Sequence, residues 1–393
     1  MKILFYSPHP TLYLEAPTGY GSHMRGMIKG FQEEGHTVEV LVMGKAPAQG
    51  STNHQSSGLM SFVKMFIPKI IWRTLKEFKQ IRFDKYAASE LQNKIVSFKP
   101  DMVYERSAWM SNGSVKVLSN FNIKHVVEIN APFEEEVQSF ENAHSFLAST
   151  GKNKLKNLLQ SANLVLPITS SLQTYLVNRY KLNAGKCVVV PNAIEEQEIK
   201  INESRVAAIN KQFNLSEVTV LGFVGSIFPY HGVDRLIRGV AKLNYTDISL
   251  LIVGDGYLIP TLKKLAEELG ISRRVHFTGS VPKEDIYNYI SAMDILTLPN
   301  TEWYCSPVKL FEYGAFGKTI LAVNEAGVTD VMSSEEGLLF ENNDSAFHDA
   351  LLTAITDVDA HKIKAQNFKQ KVVATHTWRA NAQKVLQQLN SVQ

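Results

Sequence analysis

The sequence predicts an α/β protein built from two doubly wound parallel sheets, each in its own domain. Three observations carry this expectation: a length and apolar content that suit two cores, two successive series of short β-branched runs separated by helix-sized gaps, and a glycine-rich turn after the leading strand of each series.

The chain has 393 residues, 45% hydrophobic and 20% charged. That is too long for one ordinary core, with enough apolar material to fold throughout. Lys and Arg number 41 against 38 Asp and Glu, a balance that excludes a protein whose main partner is nucleic acid. The two cysteines, Cys187 and Cys305, argue against a disulfide scaffold or a cysteine-rich zinc site and suit a reducing compartment. Met1 to Tyr6 turns at Ser7-Pro8-His9-Pro10, which reads as a first strand and is too short for a signal-peptide core. No apolar stretch approaches the ~18 residues of a membrane span. A cytoplasmic protein is expected.

The first series of predicted strands is Lys2 to Tyr6, Thr37 to Val42, Met102 to Tyr104, His125 to Ile129, Leu164 to Pro167 and Cys187 to Val190. The second is Val218 to Val224, Ser249 to Val253, Val275 to Thr278, Ile295 to Leu298, Ile320 to Val323 and Leu338 to Phe340. Short buried strands spaced by helix-length segments indicate parallel sheets with crossovers. Glu195 to Ser216, charged and without apolar periodicity, reads as the connection. The expected domains are therefore 1–205 and 206–377. Trp378, Ala382, Val385 and Leu389 share one helical face, so 378–393 is expected as a C-terminal helix returning to the first domain.

Gly58 to Phe83 departs from this rhythm. It sets Phe62, Phe66, Ile70 and Trp72 among six basic residues and a single acid, Glu77, with Pro68 dividing any helix in two. Two readings stand: an apolar stripe packed on the first sheet, or a basic amphipathic segment making a peripheral membrane contact.

Three junctions carry candidate chemistry. After the first strand, Gly19-Tyr20-Gly21-Ser22-His23 forms a glycine loop ahead of a helical stretch from Met24, allowing a phosphate or sugar close to the backbone. A dinucleotide-dependent dehydrogenase is disfavoured, because Met24 replaces the third glycine and the next strand lacks a ribose-binding acid. Gly225-Ser226 to His231-Gly232 repeats the strand, turn and helix pattern in the second domain. The third junction, Cys305 to Lys318, follows the strand Ile295 to Leu298. There Ser306 suits an N-cap, Pro307 a first helical position, and Val308 and Lys309 the first turn. A lysine at that end of a helix is disfavoured unless an anion is nearby. Glu312 lies a turn further on, where its carboxylate could accept from a ribose hydroxyl pair. Gly314 to Thr319 imitates a P-loop, but Glu312 occupies the required first glycine and the segment precedes a strand. In the first domain Glu105 and Arg106, and Glu128 and Asn130, end probable strands and are binding candidates.

Together with Gly35 to Val38, Pro191-Asn192-Ala193, Val253 to Gly256 and Val275 to Gly279, these segments resemble, in order and spacing, a retaining glycosyltransferase of the GT-B fold, in the family 4 group. The resemblance covers most of the chain. It implies two Rossmann-like domains facing across a cleft, with the nucleotide-sugar donor on the second and the acceptor on the first. Donor contacts then fall to Gly21, Gly225, Ser226, His231, Gly254, Phe277, Gly279, Ser306, Pro307, Val308, Lys309 and Glu312, with Val275 to Ser280 near the base. Acceptor contacts fall to Tyr20, Ser22, Glu105 and Arg106, and His23, Glu128, Asn130 and Lys309 become the catalytic candidates. The sequence departs from the family at Ser226 and His231, where an arginine and a lysine usually hold phosphates, which shifts charge onto Lys309 and His231. It departs again at Tyr304, eight positions before Glu312, where the family has its first glutamate; Glu302 stands ten before.

The resemblance implies no obligatory metal or other cofactor, and Asp357-Val358-Asp359 only imitates the metal-binding acids of the other major transferase fold. Expected partners are a nucleotide-diphosphate sugar, UDP-linked first and GDP-mannose second, and a glycan or lipid-linked acceptor. The expected setting is cytoplasmic, with the peripheral membrane contact left open. The rival readings are a sugar-nucleotide epimerase or hydrolase of the same architecture and an inactive nucleotide-binding subunit.

Overall fold

The structure, a computed structural model, describes residues 1–16, 18–46, 68–136, 145–194, 199–243 and 245–391. Two compact units divide the chain: Met1–Val190 with the residues from Arg379 onward, and Pro191–Trp378. The division falls at residue 190, ahead of the expected 205.

The first unit holds a five-stranded parallel sheet in the order β2-β1-β3-β4-β5, made of β1 (Lys2–Ser7), β2 (Thr37–Val42), β3 (Met102–Arg106), β4 (Lys124–Ile129) and β5 (Leu164–Pro167). Helices α1 (Gly19–Glu33), α2 (Lys69–Phe98), α3 (Gly113–Leu118) and α4 (Ala148–Ser161) lie between successive strands, and α5 (Ser170–Tyr180) follows β5. Every residue of β3 and β5 is buried, as a parallel sheet covered on both faces requires. Cys187 to Val190 is not a full strand: Cys187 makes an isolated bridge to Val165, and Val188 and Val190 each donate one N–H to β5. Its apolar character reflects burial, not sheet membership.

In the second unit the order is β11-β10-β9-β6-β7-β8, with β6 (Thr219–Val224), β7 (Ile248–Val253), β8 (Val275–Phe277), β9 (Ile295–Leu298), β10 (Thr319–Val323) and β11 (Leu338–Phe340). All strands run parallel, and the order in which they are added reverses between β6 and β9; ligands in such sheets bind outside the strand ends at that switch point. Helix α6 (Glu203–Phe213) occupies part of the expected connection. It escapes a periodicity reading because Ile209 is its one buried residue. Arg205 anchors it through a 2.8 Å ion pair to Asp285. The remaining helices are α7 (Val233–Lys242), α8 (Ile259–Glu268), α9 (Lys283–Ser291), α10 (Val308–Phe316), α11 (Ala326–Thr329), α12 (Asp344–Thr356) and α13 (Val358–Thr375). Apolar cores cover both sheet faces, one around Phe311, Tyr313 and Phe368 and the other around Phe223, Ile237 and Phe347.

The last helix, α14 (Trp378–Ser391), belongs from Arg379 onward to the first unit. There Arg379 and Gln383 both donate to Glu34, at 2.5 and 2.9 Å. Asp357 caps α13 by accepting the Ala360 N–H at 3.4 Å. Among the described residues no helix is long and apolar enough to cross a membrane, and no cluster of three or more His, Cys, Asp or Glu could hold a metal.

Candidate functional site

At the reversal point of the second sheet, β6 runs into Gly225, whose φ of 141° belongs to the region that favours glycine. A Cβ there would also stand 2.8 Å from the Lys309 ammonium, so the glycine gives that cation its place. Gly254, with φ of 133°, closes on the same turn: a Cβ on it would lie 2.0 Å from the Gly225 carbonyl oxygen. Its N–H donates to the Gly279 carbonyl at 3.0 Å. Gly225, Gly254 and Gly279, with half-buried Phe277 beside them, thus form one continuous rim, and Ser226 lies exposed on it.

Lys309 sits in the first turn of α10. Its ammonium lies 4.2 Å from the centre of the Phe223 ring and 3.5 Å from His231 Nδ1. Among the described residues no carboxylate forms an ion pair with it. Burial pushes its pKa down to about 8, countered in part by Cys305 and Glu312. Burial, then Lys309, pushes His231 down to about 3, so His231 is a neutral acceptor at pH 7. A cation in a helix N-terminal turn, beside a neutral imidazole and an aromatic face, is an arrangement that favours a negatively charged ligand. Glu312, half-buried, follows one turn along α10.

Three anchors fix this turn. The Tyr313 hydroxyl accepts the Val224 N–H at 2.8 Å, tying α10 to the end of β6. The Asn192 N–H donates to the Ser306 hydroxyl at 3.0 Å and the Asn192 amide to the Ser306 carbonyl at 2.5 Å. Gly327 packs on the Cys305 carbonyl so closely that a Cβ would overlap it. Ser306 is therefore not the N-cap expected of it: its hydroxyl is engaged by Asn192, Pro307 holds the cap position, and the helix begins at Val308. Lys318, the other lysine of the segment, donates to the carbonyls of Ser291 and Met293. Lys318→Ala is accordingly expected to destabilise the second domain by about 1.5–3 kcal/mol, the range for bonds to a charged group, while leaving nucleotide affinity intact. Urea unfolding beside calorimetry checks both halves.

In the first unit the switch point lies between β1 and β3, and a second polar cluster forms nearby. Glu128 is fully buried. It accepts from His23 Nε2 at 2.7 Å, from the Tyr104 hydroxyl and the Asn130 amide at 2.5 Å each, and from Arg106. Burial alone would raise the Glu128 pKa, but attraction to His23 and Arg106 outweighs it and holds the carboxyl far below its ordinary range. Burial, then Arg106, lowers His9 to about 4. The glycine loop expected at Gly19 to His23 is already helix, since α1 starts at Gly19. Gly21 is needed there because a Cβ would stand 2.1 Å from the Ala16 carbonyl oxygen. Tyr20 packs edge-on against Tyr13, and Ser22 accepts from Arg25 at 3.3 Å.

The structure thus brings His23, Arg106, Glu128 and Asn130 together but not Glu105. Neighbouring strand residues face opposite sides, and Glu105 turns to the other face of β3, where it accepts from His125 at 2.9 Å. Tyr104, His9, Phe223, Asn192 and Tyr313 were not singled out for these contacts. Tyr104 carries a usable signal, a polar-tipped ring at the end of the apolar start of β3.

The fold is that of a two-domain Rossmann-like α/β protein, with Lys309 at the second switch point. The family comparisons agree. Residues 17–198 match the family model described as Glycosyltransferase Family 4, and residues 206–372 match Glycosyl transferases group 1. The chain is a family 4-like glycosyltransferase of the GT-B fold. It is 21% identical over 332 residues to the uncharacterized glycosyltransferase MJ1607 of Methanocaldococcus jannaschii, covering 82% of this chain and 78% of that one. It is 24% identical over 226 residues to the phosphatidylinositol N-acetylglucosaminyltransferase gpi3 subunit of Schizosaccharomyces pombe, covering 57% of this chain and 48% of that one, about half its length. Among solved structures, Anabaena Alr3699/HepE in complex with UDP has a TM-score of 0.74 at 16% identity, with both chains fully covered.

Proposed function

We propose that this protein transfers a sugar from a nucleoside diphosphate sugar to an acceptor hydroxyl with retention at the anomeric carbon, in the synthesis of a cell-surface polysaccharide or glycolipid. The observation that carries the reading is Lys309: a buried cation that forms no carboxylate ion pair among the described residues, in the first turn of α10 and against the Gly225 corner. The donor diphosphate meets that ammonium, the α10 N-terminus and the Gly225 turn, with His231 as a neutral hydrogen-bonding group. Glu312 accepts from the ribose hydroxyls, and the base lies along Phe277 and Gly279. Lys309 takes the charge role that Ser226 and His231 cannot fill.

In the reaction the bond from the anomeric carbon to the diphosphate oxygen breaks and a bond to the acceptor oxygen forms on the same face. The acceptor proton passes to the departing phosphate oxygen. Fixed positive charge at a developing anion and the alignment of two reactants supply the rate. The first domain binds the acceptor through Tyr20, Ser22, Arg106 and Asn130, with His23 and Glu128 holding Arg106 and Asn130 in place. UDP-sugars are the first choice of donor, because a protein of the same fold binds UDP, and GDP-mannose the second. A lipid-linked acceptor is proposed, in line with the phosphatidylinositol named for the gpi3 relative, which makes the enzyme a peripheral protein at the cytoplasmic membrane face.

Incubation with nucleotide sugars, with and without an acceptor panel, followed by NMR of the product linkage, tests the reaction. Acceptor-dependent release of nucleoside diphosphate with a retained anomer is expected. Turnover without acceptor would point to an epimerase or hydrolase, and binding without turnover to an inactive subunit. Glu312→Ala is expected to weaken donor binding about 10- to 100-fold, as loss of a charge-assisted bond implies, with an unchanged melting temperature. Calorimetry showing equal affinity would remove Glu312 from the site.

A further inference from the structure

Helix α2 is inside out over its first turns. One stripe, Arg73, Glu77, Asp84, Leu91 and Ile95, faces inward at spacings of four or seven residues, and all five side chains are buried. The apolar end of that stripe, joined by Ala87 and Phe98, packs with Leu4, Tyr6 and Val103 and so fixes the rotation of the whole helix. Its polar end is consumed internally. Arg73 donates to Glu77 at 3.0 Å, and Glu77 also accepts from the Trp109 indole at 2.9 Å and from Ser145. Asp84 accepts the Gly113 N–H at 3.1 Å and the Lys154 ammonium at 3.0 Å.

The outward face is correspondingly apolar. Ile71, Trp72, Leu75 and Phe78 are 43%, 36%, 48% and 54% exposed. Phe146, 72% exposed, is fastened beside them by its N–H, which donates to the Thr74 hydroxyl at 3.2 Å. Charge is sorted the same way. Between Lys69 and Ser89 the two acids, Glu77 and Asp84, are both buried, while Lys69, Lys76, Lys79, Arg82 and Lys85 are exposed. The outward surface of these turns is therefore apolar and cationic, with no acid on it. Residues 58–67 of the basic segment noted in the sequence lie outside the described residues.

We infer that the outward face of α2, with Phe146, docks on an anionic lipid surface. The aromatic and aliphatic side chains enter the headgroup boundary while the long basic side chains reach the phosphates beside them. The buried Arg73–Glu77–Trp109 network holds this face outward. The inference deepens the proposed membrane-face reading by naming its surface and lipid charge, and it is tested apart from sugar transfer.

The test is co-sedimentation with phosphatidylcholine vesicles with and without phosphatidylglycerol, using the full chain. Binding to the anionic vesicles alone is expected, weakening as salt rises, with a blue shift of indole emission that Trp72→Phe removes. Lys76→Glu with Lys79→Glu should cut partitioning at least ~30-fold, since each basic residue contributes about fivefold. Leu75→Ser with Phe78→Ser should abolish it at low salt. Both double variants should keep the wild-type melting temperature and nucleotide affinity, which shows that fold and donor site survive. Equal recovery in the supernatant with both vesicle types overturns the inference. So does concentration-dependent self-association lost in the Leu75/Phe78 variant without vesicle binding, which would make the face a protein interface.

Discussion

Lys309→Ala is expected to lower the rate of sugar transfer by about 10²–10³-fold, the usual effect of removing one preorganised group from a developing anion. The protein should remain folded, because among the described residues the lysine contributes a ring contact and one long hydrogen bond and no ion pair. The pH dependence gives an independent readout. Burial holds the ammonium down to about 8 in the free protein, and kcat/KM reports free-enzyme ionisations. Since the charge is lost as pH rises, kcat/KM should fall through about pH 8, while Lys309→Arg should carry the fall to much higher pH. A bound diphosphate stabilises the protonated form, so kcat should fall at higher pH than kcat/KM. A kcat/KM profile identical in wild type and Lys309→Arg would show that Lys309 does not carry the charge.

Glu128→Ala is expected to produce the largest loss of stability, about 3–5 kcal/mol, because it removes the carboxylate that pairs with buried Arg106 and accepts from His23 and the Tyr104 hydroxyl. Glu128→Gln should cost less, since the amide still accepts hydrogen bonds. The folded carboxyl lies far below its ordinary value of 4.5. Its stabilising contribution is therefore complete above about pH 4.5 and is lost as pH falls below that toward the folded pKa. The first domain of the wild type should destabilise with acid over that range, and Glu128→Gln should flatten that limb. Chemical unfolding at stepped pH measures both, and parallel limbs in wild type and variant would show that Glu128 is not the group responsible.

Much of this architecture was readable because the strands appear as short apolar or β-branched runs, the inner ones buried on both faces and the edge strands Thr37–Val42 and Leu338–Phe340 partly buried. Thr37–Val42, Leu164–Pro167, Ile295–Leu298 and Leu338–Phe340 have the same bounds in sequence and structure. The same signal misleads at Cys187 to Val190, where burial without full pairing looks alike, and it is silent for α6, which turns one apolar residue inward. At the site, strand ends and glycine turns pointed to Gly225, Lys309, Glu312 and Glu128 through local chemistry. Pairings between distant segments were not legible: Asn192 reaches Ser306 and Tyr313 reaches Val224 only once the sheet has formed. The capping role given to Ser306 failed for that reason, since a remote partner competes for its hydroxyl. Glu105 and Arg106 were read as a pair, although adjacent strand positions point to opposite faces. In α2 the sequence showed a basic amphipathic stretch but not its rotation, which is set by Ala87, Leu91 and Ile95 further along the helix.

The central claim is that the α10 N-terminus and the Gly225 turn hold a nucleoside diphosphate sugar through Lys309 and Glu312. The most direct measurement is calorimetric titration of a UDP-sugar and GDP-mannose panel into the wild type, Lys309→Ala and Glu312→Ala proteins, each checked for folding. The account predicts saturable one-to-one binding of at least one donor to the wild type, weakened in both variants, with the larger loss in Lys309→Ala. Binding of equal strength in all three proteins, or no binding of any nucleotide sugar by the folded wild type, would contradict it.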